Sequence, residues 1–191
     1  MKRGIIFESQ KFVDKDFSIK SLKLNEYSEC SFSSCNFSSA DLDSCVFVDC
    51  KFDNCNFSNA KVNDCRFQDA KFDSCKLLGV NFSKLSSFLL SMDFNSCLIT
   101  NCNFSDLKLP GCKFIKCNVK ECYFLNTNLI SGDFSSSDLL MSEFVDCNLS
   151  KCDFSSATNY LFDLKSNLVK GAKFNRFDVV ELLKYFEIEI V

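Results

Sequence analysis

The chain has 191 residues, of which 47% are hydrophobic, and a formal net charge of −3. This length is enough for one domain with its own core, and the small charge argues against a general nucleic-acid or membrane-surface binder. No stretch approaches the roughly 20 apolar residues of a membrane helix, and no apolar run of signal-peptide length follows Met1, so we expect a cytoplasmic protein with no membrane contact. The sequence has 23 Phe, 14 Cys and no His, so it lacks the usual general base of enzymes.

Large apolar residues recur at every fifth position along most of the chain. All 16 positions of this series from Phe7 to Phe82 are large and apolar, and a second series from Phe94 to Phe154 adds 13 more. These 29 positions, which we call centres, hold 18 of the 23 Phe. A period of five fits neither a helix nor a strand. It predicts a chain that turns a corner once in every repeat.

A second inward position, which we call the small slot, lies two residues before each centre. It holds all 14 cysteines, and Ala or Val at positions such as Ala40 and Val80. Cys packs as a small hydrophobe, whereas zinc sites bring together Cys residues two to four apart. We therefore interpret the cysteines as core residues and expect no metal and no cofactor. Pairs 20 apart, such as Cys30 with Cys50, would come within disulfide range, but a reducing cytoplasm disfavours that bond.

The residue two after each centre is where a type II turn requires a positive φ. Asn, Asp or Gly fill 11 of these positions between Asp49 and Asp146. The only proline, Pro110, precedes Gly111, and Pro-Gly is the favoured pair at the middle of such a turn.

Units such as Cys30-Ser-Phe-Ser-Ser34 and Cys35-Asn-Phe-Ser-Ser39 resemble the pentapeptide-repeat family. The resemblance covers residues 5–156 and implies an all-β fold, a right-handed four-sided β-helix with four repeats per coil. About 7.5 coils would then form a rod about 36 Å long, at roughly 4.8 Å per coil. Gln10, Lys15, Lys20 and Asn25 in the small slot predict a less regular first coil and a half. The inward phenylalanines predicted to build the core include Phe37, Phe57, Phe72, Phe114 and Phe134.

The register slips once, because the interval between Phe82 and Phe94 is two positions longer than two repeats require. The slip lies in residues 83–91 and predicts a bulge or small loop within one domain. Phe88 at its tip has two interpretations. It is a partner contact, or it folds back against its own wall, which is the more frequent outcome for such a residue.

The period ends after Ser156, so we divide the chain into a β-helix over 1–157 and a C-terminal segment over 158–191. Residues 178–186 predict a short helix with Asp178 and Glu181 as a capping box, and residues 187–191 predict a strand. Val179, Leu182, Leu183 and Phe186 form an apolar stripe. We expect this segment to cap the open end and to form a homodimer. Thr158-Asn-Tyr160 and Lys170-Gly-Ala-Lys-Phe174 resemble the dimer-forming tail of the Qnr-type quinolone-resistance proteins.

This second resemblance implies a non-enzymatic DNA mimic that binds DNA gyrase or topoisomerase IV and changes quinolone susceptibility. Charge limits the idea, because a dimer about 70 Å long would need roughly 40 negative charges to match DNA, and two chains at −3 supply only −6. Residues 132–163 come closer with a net charge of −5. We call Asp133, Asp138, Glu143, Asp146 and Asp153 within them the acidic band. The alternative is a scaffold that binds some other protein through a flat wall, the acids serving only solubility. Neither hypothesis involves direct nucleic-acid binding.

Overall fold

The computed structural model describes residues 4–18, 20–186 and 188. The chain winds into a β-solenoid of about eight turns. Strand residues pair in parallel with residues 20 positions later, as in Ile6↔Glu26 and Glu26↔Val46. A corner in every repeat gives each coil four walls, so the predicted four-sided β-helix is confirmed. We number the walls by their first centres: Phe7 for wall 1, Phe12 for wall 2, Phe17 for wall 3 and Leu22 for wall 4.

The regular elements are short because each wall is only one repeat wide. The strands are β1 (Ile6–Glu8), β2 (Lys11–Val13), β3 (Glu26–Ser28), β4 (Ser31–Ser33), β5 (Val46–Val48), β6 (Lys51–Asp53), β7 (Arg66–Gln68), β8 (Ala70–Asp73), β9 (Lys76–Leu78), β10 (Met92–Asn95), β11 (Leu98–Thr100), β12 (Phe114–Ile115), β13 (Asn118–Lys120), β14 (Tyr123–Leu125), β15 (Glu143–Val145), β16 (Asp153–Phe154) and β17 (Lys173–Phe174). Two 3₁₀ helices cover Phe82–Lys84 and Asp178–Phe186.

The walls differ in continuity. Wall 1 carries the sheet β1-β3-β5-β7, wall 2 the six strands β2-β4-β6-β8-β10-β12, and wall 3 the strands β9-β11-β13. The pairs β14-β15 and β16-β17 lie further along, in walls 4 and 2. Wall 2 therefore carries the longest sheet, and walls 2 and 3 both continue as sheets through the middle of the rod.

Stacked rings fill the core. Wall 2 has Phe at every centre from Phe12 to Phe174, and the ring centroids in this column are between 4.8 and 5.5 Å apart. Rings of neighbouring walls meet edge to face, as Phe52 does with Phe57 at 5.2 Å, an arrangement that aromatic pairs prefer. Phe37, Phe57, Phe72, Phe114 and Phe134 are all buried.

All 14 cysteines are buried and free. Several thiols donate a hydrogen bond to the carbonyl of a centre in the coil below, for example Cys45 Sγ to Leu22 O and Cys152 Sγ to Leu129 O, both at 2.9 Å. Thr127, Ser137 and Ser142 occupy the same slot, and their hydroxyls make equivalent bonds. The slot thus accepts a small side chain, and where that side chain carries a thiol or hydroxyl the group can donate to the carbonyl below.

The corners have the predicted backbone. Each of the 11 Asn, Asp and Gly positions between Asp49 and Asp146 has a positive φ, between 50° and 71°. At the Pro110-Gly111 corner the amide of Cys112 donates to Leu109 O at 3.2 Å, which closes a type II turn. Other residue types adopt the same conformation elsewhere, among them Lys116, Glu121 and Met141.

The register slip interrupts wall 1 and leaves wall 2 intact. β8 and β10 pair across it, and Phe72 lies opposite Phe94, where an unbroken register would place it opposite Met92. The amides of Ser86 and Ser91 bond to carbonyls of the coil below, while Leu85 and Leu90 turn inward. The inserted positions are accommodated in an exposed loop between them.

The ladder continues beyond the predicted boundary at residue 157. Asn148 bridges to Leu168, and Phe154 pairs with Phe174. Residues 157–166 have the length of two repeats without their pattern, after which Val169 and Gly171 resume it. The predicted helix over 178–186 is present as a 3₁₀ helix. The predicted strand over 187–191 lies outside the described residues except for residue 188.

Candidate functional site

The acidic band is spread over three walls. Asp133 and Asp153 are bridge partners on wall 2, as their spacing predicts. Asp138 lies on wall 3 beside Thr158, Glu143 begins β15 on wall 4, and Asp146 follows at the next corner with a φ of 54°. Of the band, the fold therefore brings only Asp133 and Asp153 directly together.

Two members of the band are paired with lysines. Lys120 Nζ lies 2.7 Å from Asp138 Oδ2, and Lys173 Nζ lies 3.1 Å from Asp153 Oδ2. Burial raises the pKa of Asp138, but hydrogen bonds from Lys120 and Asn159 outweigh it and leave the pKa below its ordinary value. The count of −5 for residues 132–163 missed both lysines, since they lie outside that segment and reach it from neighbouring coils.

The pKa of Asp153 is also held below its ordinary value. Hydrogen bonds from the side chain and amide of Ser155 contribute most, and Lys173 adds to them. Asp133 accepts an equivalent bond from the amide of Ser135 at 2.9 Å. These two carboxylates accept hydrogen bonds from the chain near the next corner. Asp133 and Asp153 of the acidic band therefore stabilise the solenoid itself.

Four acids without a lysine partner lie on wall 4 and its corners. The stretches 101–106, 121–126 and 141–146 form this wall in three successive coils and contain four acidic residues and no Lys or Arg. All four are exposed, and no ion pair to any of them occurs among the described residues. We call these residues the acidic face: Asp106, Glu121, Glu143 and Asp146. Sequence reasoning placed Glu143 and Asp146 in the acidic band but left out Asp106 and Glu121, because it considered only the segment 132–163.

The same wall also exposes apolar side chains. Tyr123, Leu125 and Val145 are 43%, 40% and 39% exposed. They stand next to the buried centres Phe124 and Phe144, in strands β14 and β15 that pair in register. This apolar surface bordered by acids is a candidate surface for contact with a protein.

Phe88 lies in the loop of the register slip and is 60% exposed, next to the 58% exposed Leu89. The guanidinium carbon of Arg66, in the coil below, is 5.4 Å from its ring centroid. The residue thus lies over its own wall and still presents most of its ring to solvent. Its contact with Arg66 agrees with a residue that folds back over its own wall, and a partner contact of Phe88 remains a prediction.

The apolar stripe of the C-terminal segment has mixed surroundings. Leu182 is fully buried and Val179 packs partly against the core. Leu183 is half-buried, and Phe186 is 38% exposed, with Lys165 Nζ 4.6 Å from its ring centroid. Leu182 therefore belongs to the cap and is not available to a second chain. The free apolar surface of its helix, with the residue before it, consists of Phe177, Val180, Tyr185 and Phe186 and the half-buried Leu183. Leu161 and Leu168 are exposed elsewhere in the segment.

Among the described residues no cluster of three or more Cys, Asp or Glu side chains is arranged to hold a metal ion. Neither helix in the described part of the chain combines the length and the apolarity that crossing a membrane requires.

Two solved structures of trypsin-treated variants of QnrB1, described as a plasmid-mediated fluoroquinolone resistance protein, are similar over nearly the whole chain. One superposes with a TM-score of 0.61 at 18% identity and covers 99% of this chain and 98% of its own. The other has a TM-score of 0.57 at 20% identity and covers 100% and 95%. At these identities the likeness shows the fold. A search of curated proteins found no match.

The sequence itself also matches a family model. The model of the pentapeptide repeat region fits residues 20–86 and 47–121, and together these segments span more than half of the chain. Its five-residue period is the one that sets the walls, the small slot and the corners described above. The chain therefore belongs to the pentapeptide-repeat family.

Proposed function

We propose that the protein is a non-enzymatic partner of type II topoisomerases, DNA gyrase or topoisomerase IV, and that it alters their response to quinolones. The acidic face carries the proposal. Three coils extend about 14 Å, a length over which duplex DNA carries roughly 8 phosphates. About half of those would face one side of the duplex, and the acidic face presents four carboxylates with no lysine between them.

With two of its acids paired to lysines, the acidic band no longer offers walls 2 and 3 as the best binding surface. We place the topoisomerase-binding surface on wall 4. Of the acidic band, Glu143 and Asp146 belong to the acidic face, whereas Asp138 and Asp153 are paired with lysines. The overall form of the rod supports the same function, since the QnrB1 structures that share it belong to a fluoroquinolone resistance protein. Phe88 is a second candidate contact, on a different wall.

A supercoiling assay with purified gyrase, with and without a fluoroquinolone, tests the proposal. The wild type is expected to alter supercoiling or protect it from the drug, and the effect should weaken with salt because exposed charges are screened. Asp106→Lys with Asp146→Lys should abolish it. Lys116 and Lys151 occupy the same repeat position with a positive φ, so lysine is compatible with these corners.

The matched control is Asp14→Lys with Asp49→Lys. These residues have the same repeat position, a positive φ and the same charge change, but lie in the N-terminal half. An effect that the control loses as readily as the test variant would contradict the acidic face. No effect of the wild type on gyrase at any salt concentration would refute topoisomerase binding itself.

The exposed Tyr123, Leu125 and Val145 favour a second candidate, an interaction scaffold for another protein. DNA mimicry needs no apolar side chains, whereas ordinary protein interfaces have apolar centres and polar rims. Tyr123→Ser with Leu125→Ser separates the two candidates. The change should leave a purely electrostatic effect on gyrase intact and should weaken binding to a partner that recognises an apolar surface.

A further inference from the structure

A concave surface lies where walls 3 and 4 meet the C-terminal 3₁₀ helix. This groove has a volume of about 690 Å³ and is lined by Leu140, Met141, Ser142, Glu143, Thr158, Asn159, Tyr160, Leu161, Asp178 and Glu181. We call it the C-terminal groove. Its position between the last coils and the capping helix separates it from most of the acidic face, with only Glu143 bordering both.

One side of the groove is apolar and open. Met141 is 72% exposed, Leu140 41% and Leu161 44%. Met141 also has a φ of 57°, at a corner where Asn101 stands two coils earlier. Met141 therefore contributes no stability to the folded chain. Its positive φ is unfavourable for a residue with a Cβ atom, and its side chain is not buried. A bound partner that covers this side chain would bury its apolar surface.

The floor of the groove holds an unpartnered hydroxyl. Tyr160 is only 3% exposed, and its hydroxyl has no hydrogen-bond partner among the described residues. Burial raises the pKa of Tyr160, and the nearby Asp178 carboxylate raises it further, with a smaller opposing effect from the Asn175 amide. Since buried polar atoms are nearly always paired, this hydroxyl indicates a missing donor or acceptor.

The charge of the lining has one sign. Glu143, Asp178 and Glu181 contribute carboxylates, and no Lys or Arg is among the described lining residues. Glu181 is paired with Lys184, outside the lining, which leaves Glu143 and Asp178. Carboxylates beside apolar side chains and an unpartnered hydroxyl suit the aliphatic stem and charged head of a lysine or arginine.

We propose that the C-terminal groove is a docking site for a protein segment that carries Lys or Arg next to a large apolar residue. Met141, Leu140 and Leu161 would pack against the apolar side chain and the stem of the basic one. Asp178 and the Tyr160 hydroxyl would receive its charged head. Nucleic acids and anionic lipids would be repelled by these carboxylates. Residues 175–186 of a second copy carry Arg176 and Lys184 together with Asp178 and Glu181. Their net charge of zero complements the groove less well than a basic segment does, and self-association is the competing outcome of the test.

Fluorescence anisotropy with a labelled peptide tests the docking site on the full chain. The probe is Gly-Leu-Lys-Leu-Arg-Leu-Gly, and the control peptide has Glu in place of Lys and Arg. The wild type is expected to bind the basic peptide alone, less tightly as salt is added. Met141→Asn keeps a residue suited to the corner and removes the apolar contact, so affinity should fall about tenfold. Lys116→Asn, a change at the same repeat position on another corner, should have no effect.

Tyr160→Phe separates binding from folding. Removing an unpartnered buried hydroxyl should leave thermal stability unchanged or slightly higher, whereas affinity for the basic peptide should fall about five- to tenfold. Equal binding of both peptides, or an unchanged affinity in Met141→Asn and Tyr160→Phe, would overturn the proposal. So would a wild type that binds neither peptide while Met141→Asn dissociates a dimer, since the groove would then belong to self-association. Gyrase takes no part in these measurements, so their result is independent of the topoisomerase proposal.

Discussion

Phe57 and Ser58 are adjacent in the chain and have opposite environments. The Phe57 ring is buried between those of Phe37, at 4.6 Å, and Phe72, at 5.5 Å. The Ser58 hydroxyl is half-buried at the surface and donates to Asn56 Oδ1 at 2.6 Å. The position of a residue within the repeat determines whether its side chain is buried among the stacked rings or exposed to water.

Phe57→Ala should lower the free energy of unfolding by about 3–5 kcal/mol, because it removes a buried ring and leaves a cavity in a stacked column. Ser58→Ala should change it by less than about 0.5 kcal/mol, as is usual for surface substitutions. Urea unfolding followed by circular dichroism measures both. Similar losses for the two variants would contradict the assignment of inward and outward positions.

Elements in this fold are coils, and two of them depart from the regular pattern. The slip loop takes up its insertion between Ser86 and Ser91 without disturbing wall 2. The last coil is followed by a 3₁₀ helix, and Leu182 of this helix is fully buried. In both places a local irregularity is contained because the neighbouring walls keep their hydrogen bonds.

Deleting Ser86 and Ser87 should restore the regular register. Leu85 would remain in a small slot, Leu89 would become a centre, and Met92 would occupy the next small slot. Leu89, now 58% exposed, would then be buried, whereas Leu90, now 9% exposed, would turn outward. The gain in stability would therefore come from the restored ladder of wall 1 and the shorter loop, with little net change in apolar burial. We expect a variant with a higher melting temperature and an unchanged β-type circular dichroism spectrum. A lower melting temperature would show that the loop is needed for folding.

Substitutions at the neighbouring Leu182 and Leu183 should have different effects on the C-terminal segment. Leu183→Asp, at a half-buried position, should separate a homodimer into folded monomers because it places a charge in the free apolar surface. Leu182→Ala should leave the oligomeric state unchanged and lower stability by about 2–5 kcal/mol, because Leu182 is fully buried in its own chain. Light scattering and thermal melts distinguish the two. A wild type that is monomeric at micromolar concentration would refute the dimer.

The whole molecule is a rod with a thiol-rich interior. Its folding stability should therefore decrease at alkaline pH. Burial raises the pKa of Cys45, Cys50 and Cys152 from 9.0 to about 12. The neutral thiol is thus favoured in the folded state, and the stability linked to it is fully present below pH 9. It is lost as the pH rises from 9 towards 12, because the unfolded chain ionises first.

Urea midpoints should therefore fall between pH 9 and pH 11, and the fall should be smaller in a variant with Ala at positions 45, 50 and 152. Below pH 9 the same thiols should resist a thiol reagent that labels all 14 after denaturation. A midpoint that does not change over this range, or rapid labelling of the native protein, would contradict the burial of the thiols.

The sequence predicted the walls, the core and the corners because each depends on repeat position alone. It did not predict the neutralisation of Asp138 by Lys120, since these two positions are not in register and their contact depends on side-chain direction across a corner. Asp153 and Lys173 are in register, but residue 173 was assigned to the tail and not to a coil. The burial of Leu182 and the unpartnered Tyr160 hydroxyl arise from how the C-terminal helix docks across the end, which no periodicity encodes.

The unbroken ladder of wall 2 and the interrupted ladder of wall 1 have a mechanical consequence. Each coil touches only the coils above and below it, so a force applied to the two ends of the chain should unwind the rod coil by coil. Each coil would lengthen the molecule by about 65 Å, from roughly 4.8 Å folded to nearly full extension. The coil at the slip has lost its wall 1 strand and is held by fewer interstrand bonds. Under tension the coil at the slip should therefore unwind first. The N-terminal and C-terminal halves of the rod would then remain folded on either side of it, each with its own column of rings.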